Sequence, residues 1–76
     1  MQIEVVVEYN ALCIYINELL HVYVNRDKLL GIQTWRSGPT NFAIEYTLEN
    51  GTMLTEYDDE AKFTEIVRQL KDIRKP

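Results

Sequence analysis

Between residues 11 and 24 the sequence reads ALCIYINELLHVYV, with β-branched, aromatic and leucine side chains on both sides of a two-residue alternation. The polar pair Asn17-Glu18 interrupts this run and reads as the two-residue turn of a hairpin. Pairing outward from that turn gives one face made of Leu12, Ile14, Ile16, Leu19, His21 and Tyr23. The other face carries Cys13, Tyr15, Leu20 and Val22. Neither face is suited to water. A helix can cover one of them, and the other needs a second sheet layer, a curled barrel wall or another chain. A chain of 76 residues hides only about 60% of the surface that its unfolded form exposes, so association is an economical cover. The expectation is a homodimer burying Cys13, Tyr15, Leu20 and Val22, with an obligate foreign partner or a closed small barrel as alternatives.

The remaining pattern completes an α+β domain spanning residues 1–76. Ile3, Val5, Val7 and Tyr9 alternate with polar neighbours in a half-buried first strand. Asn25-Arg26-Asp27-Lys28 makes a polar break. Gly31 to Arg36 is a strand ended by Ser37-Gly38-Pro39-Thr40, and Asn41 to Glu49 is a strand leading into the hairpin signal Asn50-Gly51. A strand from Thr52 to Tyr57 returns. Asp58 or Asp59 caps a closing helix with acidic Glu60 in its first turn and Lys71, Arg74 and Lys75 in its last, and Pro76 stops it. Phe63, Ile66, Val67, Leu70 and Ile73 form its apolar stripe. The expected architecture is an antiparallel β-meander of about five strands followed by one C-terminal amphipathic helix packed on the sheet.

Composition narrows the function classes. A formal net charge of −4 argues against direct nucleic-acid binding, and no apolar run is long enough to span a membrane. The start MQIEVVVEYN lacks the basic, apolar pattern of a secretory signal, and Cys13 has no second cysteine to pair with, which together point to the cytoplasm. One cysteine and one histidine make no transition-metal set, and under the hairpin pairing Cys13 and His21 point to opposite faces. Cys13 reads as a small buried apolar residue and His21 as a strand residue with a hydrogen-bond partner. No glycine-rich phosphate loop is present and no cofactor is implied. The expected protein is not an enzyme.

From Glu45 to Glu60 the chain has six acidic residues and no lysine or arginine. If Asn50-Gly51 centre their turn, Glu45 faces Glu56 directly, with Glu49 and Asp58 nearby. If Gly38-Pro39 centre the preceding turn, Trp35 packs on Phe42 in the core and Arg36 is the one base on the acidic side. Glu45, Glu49, Glu56 and Asp58 are thus a candidate docking face for a protein partner.

The order of a closing meander and a C-terminal helix is similar, in pattern alone, to the second half of pleckstrin-homology-like domains. That resemblance implies the element order and carries no binding residue to this chain. Three functional expectations follow. The first is a non-catalytic protein–protein interaction module that regulates or inhibits a partner through the acidic sheet face or an apolar strand edge. The second is an inhibitor that imitates nucleic acid on a basic target. The third is a pleckstrin-homology-like binder of a small molecule or lipid headgroup, using Arg26, Lys28 and Arg36.

Overall fold

A computed structural model describes residues 1–74, the side chain of Arg74 excepted. The chain runs β1 (Ile3–Glu8), β2 (Ala11–Ile16), β3 (Leu19–Asn25), a single 3₁₀ turn at Arg26–Lys28, β4 (Leu29–Arg36), β5 (Phe42–Leu48), β6 (Gly51–Tyr57) and helix α1 (Glu60–Arg74). The class is α+β, as the sequence pattern suggests. In place of one meander of about five strands, however, six strands form two antiparallel sheets, β1-β2-β3 and β4-β5-β6. Geometry explains the split. Six strands about 4.8 Å apart make a sheet nearly three times as wide as a helix about 10 Å across, so one helix could not cover it. Two facing sheets cover each other. One core joins Val5, Leu12, Ile14, Val22 and Val24 of the first sheet with Ile44, Tyr46 and Tyr57 of the second and Ile66 and Leu70 of the helix.

Local chemistry places each turn. Asn17 and Glu18 take φ of +51° and +70°, the left-handed pair of a type I′ turn, as the polar break in the apolar run predicts. The Asn17 side-chain oxygen accepts from the Gln2 backbone N–H (3.0 Å), and the Asn17 N–H donates to the Gln2 carbonyl (2.8 Å), tying the start of β1 to this turn. At the junction between the sheets, the Asn25 side chain accepts from the Asp27 N–H (2.9 Å) and the Arg26 N–H donates to the Asn10 carbonyl (2.6 Å). Asp59 is the helix cap: its carboxylate accepts from the Ala61 and Lys62 N–H groups at 3.0 and 3.2 Å. All five stripe residues of α1 join or pack against the core. Lys75 and Pro76, expected to close the helix, lie outside the described residues.

Three register details differ from the sequence expectation. The β2–β3 pairing runs as expected for Ile16↔Leu19 and Tyr15↔Leu20, then slips by one, so that Ile14 faces Val22 and Cys13 faces Tyr23. His21 is the extra residue of this bulge, which inverts the two faces of β3 beyond it. The β4–β5 loop spans five residues, Ser37 to Asn41, because the Ser37 and Gly38 N–H groups both reach the Asn41 carbonyl (2.9 and 3.2 Å). That one-residue slip puts Trp35 opposite Ala43 on the outer face and Arg36 opposite Phe42, reversing both expectations. Trp35 is 41% exposed, so it is not a core residue. The β5–β6 turn centres on Glu49-Asn50, leaving Gly51 (φ +146°) as the first residue of β6 in a conformation that side chains resist.

Two polar contacts position the layers. The Gln69 carboxamide of α1 accepts from the Val5 N–H and donates to the Ile3 carbonyl, both at 2.8 Å, and thus occupies the outer edge of β1 as a neighbouring strand would. Glu65 accepts from Gln69 (2.8 Å) and from Arg68 (2.5 Å), which also reaches Asp72 at 3.2 Å. The donation from Arg68, then that from Gln69, holds the Glu65 carboxyl down at about 2. At another rim the His21 Nε2 and the Tyr57 hydroxyl lie 2.9 Å apart, joining β3 to β6. Tyr46, fully buried, has a hydroxyl without a hydrogen-bond partner among the described residues, a concession to filling the core between the sheets. No helix among the described residues is long and apolar enough to cross a membrane.

Replacing Gln69 with Ala should lower the unfolding free energy by about 1–2 kcal/mol, the worth of two partly buried backbone hydrogen bonds. Gln69→Glu should not restore it, because a carboxylate cannot donate to Ile3. Urea denaturation of both variants checks this, and unchanged midpoints would show the bridge to be idle. A pH effect follows from His21: partial loss of water around the ring, then the Lys62 ammonium, hold its imidazole below the ordinary 6.5. The unfolded chain therefore takes up the proton first, so stability is full above about pH 6.5 and declines as pH falls towards the lower folded value. His21 is exposed, so the loss is small, about a few degrees in Tm. Thermal melts at about pH 7.5 and 5 should show a smaller drop for His21→Gln than for the natural protein.

Candidate functional site

Alternation and the β3 bulge assemble the outer face of the first sheet. Val5, Leu12, Ile14, Val22 and Val24 point into the core, so Glu4, Val6 and Glu8 of β1, Cys13 and Tyr15 of β2, and Leu20 and Tyr23 of β3 point away from it. Of the four residues expected to form an oligomer interface, the structure keeps Cys13, Tyr15 and Leu20 on this face. Val22 is corrected: it is 3% exposed and belongs to the core, because the bulge at His21 turns it inward. Tyr23 takes its place. Sequence alternation assigned Tyr23 to the inner face, and the signal that could have found it is His21, a polar residue at a position that unbroken alternation would bury among Leu12, Ile14 and Ile16.

Cys13 needs no second layer to escape water. The Tyr15 hydroxyl reaches along the sheet to the Glu8 carboxylate, 3.3 Å from Oε2, and Cys13 lies on the same face between Tyr15 and the Ala11 that Glu8 opposes. The Tyr15 ring thus lies across Cys13, which is 2% exposed. Burial first, then the charge of Glu8, push the Cys13 thiol up, with a hydrogen bond to Tyr15 opposing them. At neutral pH the sulfur is a protonated, shielded thiol.

Beyond Tyr15 the face opens. Leu20 is 54% and Tyr23 64% exposed, and Leu19, beside the turn, is 73% exposed. All three belong to β3, which ends its sheet, so its outer backbone edge has no strand partner among the described residues. The strand LLHVYVN contains no lysine, arginine, aspartate, glutamate or proline, the residues that ordinarily guard a sheet edge.

The acidic residues are gathered less closely than expected. Glu45 and Glu56 share the outer face of the second sheet, but Glu45 faces Leu54 and Glu56 faces Ala43, so the direct glutamate pair does not form. The turn sits one residue earlier than the Asn50-Gly51 signal implies, which shifts the register by two and preserves the face. Glu49 lies in the β5–β6 turn, and Asp58 follows the other end of the hairpin, so the four carboxylates do not converge. Trp35 and Leu54 share their face, whereas Arg36 packs over the Phe42 ring on the inner side, 5.6 Å from its centroid, and donates to the Gly38 and Pro39 carbonyls. Arg26 and Lys28 precede β4 while Arg36 ends it, about 25 Å away along an eight-residue strand, so these three bases form no common site. Among the described residues no three histidine, cysteine or carboxylate groups are placed to hold a metal ion.

Comparison with protein-family models, with curated proteins and with solved structures finds no match to this chain. The surface itself is therefore the guide to function.

Native Cys13 should react slowly with iodoacetamide at neutral pH, and Tyr15→Ala should speed the reaction about tenfold or more by removing its cover. Rapid alkylation of the natural protein, followed by mass spectrometry, would contradict the shielding.

Proposed function

We propose that this protein is a non-catalytic interaction module whose docking element is the open edge of β3 with the adjoining outer face of the first sheet. The supporting observation is the edge strand itself: seven residues without charge or proline, with Leu19, Leu20 and Tyr23 more than half exposed. Such an edge offers backbone donors and acceptors to an incoming strand, and its side chains offer apolar area and tyrosine, which is enriched at interfaces. The other edges are less available. Gln69 occupies that of β1, β4 ends in Arg36 and shares a recess with α1 through Ile32, Thr34 and Lys71, and β6 presents Glu56.

A second copy of the chain is the partner we assign first, because identical uncharged edges can pair antiparallel about a two-fold axis, giving each protomer the same contacts. Regulation of a further protein would then use the acidic outer face of the second sheet, where Glu45 and Glu56 flank Trp35 and Leu54.

Light scattering after size exclusion should give about twice the 9.0 kDa chain mass, and Leu20→Lys or Tyr23→Lys should return the mass to one chain with an unchanged circular-dichroism spectrum. Leu54→Lys, on the other sheet, should leave the mass doubled. A single-chain mass up to about 0.5 mM, or a dimer indifferent to both β3 charges, would overturn the assignment.

A further inference from the structure

Where the chain crosses from the first sheet to the second, the core is incomplete. Val7, Leu12, Leu29, Ile32, Leu70 and Ile73 line a half-open cavity of about 230 Å³, and the remaining lining residue is Arg26. On another side of Ile32 and Leu70 lies a separate recess of about 80 Å³, also bordered by Thr34, Val67 and Lys71. Interiors are packed to crystal-like density, and an apolar void of this size forfeits dispersion contacts along its walls. Water that enters from the open side finds few polar partners along the aliphatic walls, so displacing it costs little.

The backbone of Arg26 is anchored. Its backbone N–H is held by the Asn10 carbonyl at 2.6 Å, and the 3₁₀ turn that presents it is capped by Asn25. The neighbouring Asp27 carboxylate accepts from the Asn10 side-chain amide at 3.1 Å. The Arg26 guanidinium makes no hydrogen bond or ion pair among the described residues. A chamber walled by six aliphatic side chains and one arginine, whose always-charged guanidinium has no other partner among the described residues, matches a molecule with an alkyl body and a single anionic end.

We propose that this cavity binds a free single-chain carboxylate of medium length, its alkyl chain against Leu12, Leu29, Ile32 and Leu70 and its carboxylate on Arg26. A cavity of about 150 Å³ accepts a benzene-sized guest, so this one suits a chain of about eight carbons. The site lies apart from the β3 edge and does not depend on how that edge is used. It also differs from a headgroup site built on Arg26, Lys28 and Arg36 together, which the fold separates.

The test is a titration of the whole protein with sodium octanoate below its micellar concentration, followed residue by residue in ¹H–¹⁵N NMR spectra. Saturable shifts should centre on the amides of Leu12, Leu29, Ile32, Leu70 and Ile73. Arg26→Gln, an exposed substitution that leaves the core intact, should weaken octanoate about tenfold while leaving the weaker binding of 1-octanol unchanged. Leu29→Phe, which fills the chamber from its half-buried wall, should weaken both ligands. Three results would overturn the proposal: no saturable shift at these amides, shifts centred instead on Leu20 and Tyr23, or equal octanoate affinity with and without Arg26.

Discussion

The carboxamide of Gln69 is the contact through which the helix and the first sheet become one structure. By donating to Ile3 and accepting from Val5 it closes the edge of β1, and it fixes the height and rotation of α1 along that edge. Phe63, Ile66 and Leu70 then reach the second sheet, where Phe63 stacks on Phe42 with ring centroids 5.1 Å apart. The same placement leaves Leu70 and Ile73 as one wall of the chamber beside Arg26. Glu65 and Arg68 support the amide from behind, so a short relay of polar groups on one helix face carries the geometry of three layers.

Closing one edge makes the other conspicuous. The first sheet ends in β1, occupied by the helix, and in β3, an uncharged strand whose outer edge has no strand partner among the described residues. Its outer face is covered in part by its own side chains, since Tyr15 lies over Cys13 on its way to Glu8. What stays open is concentrated on β3. This polarity, one end finished and the other offered, is the physical basis for reading the domain as a module that associates.

Much of this was legible from spacing. The Asn17-Glu18 turn, the Asp59 cap and the helix stripe follow from local rules, because each depends on residues within a turn or two of chain. Faces were less secure. A strand has a period of two, so a single inserted residue reverses everything beyond it, and two such slips overturned expected faces: at His21, which exchanged Val22 and Tyr23, and at the Ser37–Asn41 loop, which exchanged Trp35 and Arg36. Of the residues expected at an interface, Cys13, Tyr15 and Leu20 keep the outer face, with Cys13 already covered within the chain, while Val22 lies in the core and Tyr23 takes the outer position. The acidic cluster kept its face and lost its convergence, since Glu49 and Asp58 follow opposite ends of one hairpin.

The amino-acid sequence by itself determined that this chain is α+β, with strands and turns before one terminal amphipathic helix, and that its second and third strands are apolar on both sides of their alternation. Periodicity and turn chemistry are local, and they carry that much. Only the tertiary structure decided that the strands divide into two sheets, that the helix seals β1 rather than β3, and that Arg26 joins six aliphatic residues around one chamber. Those outcomes depend on which distant surfaces cover one another, and on bulges whose free energy is settled by packing across the core rather than by neighbours in the chain.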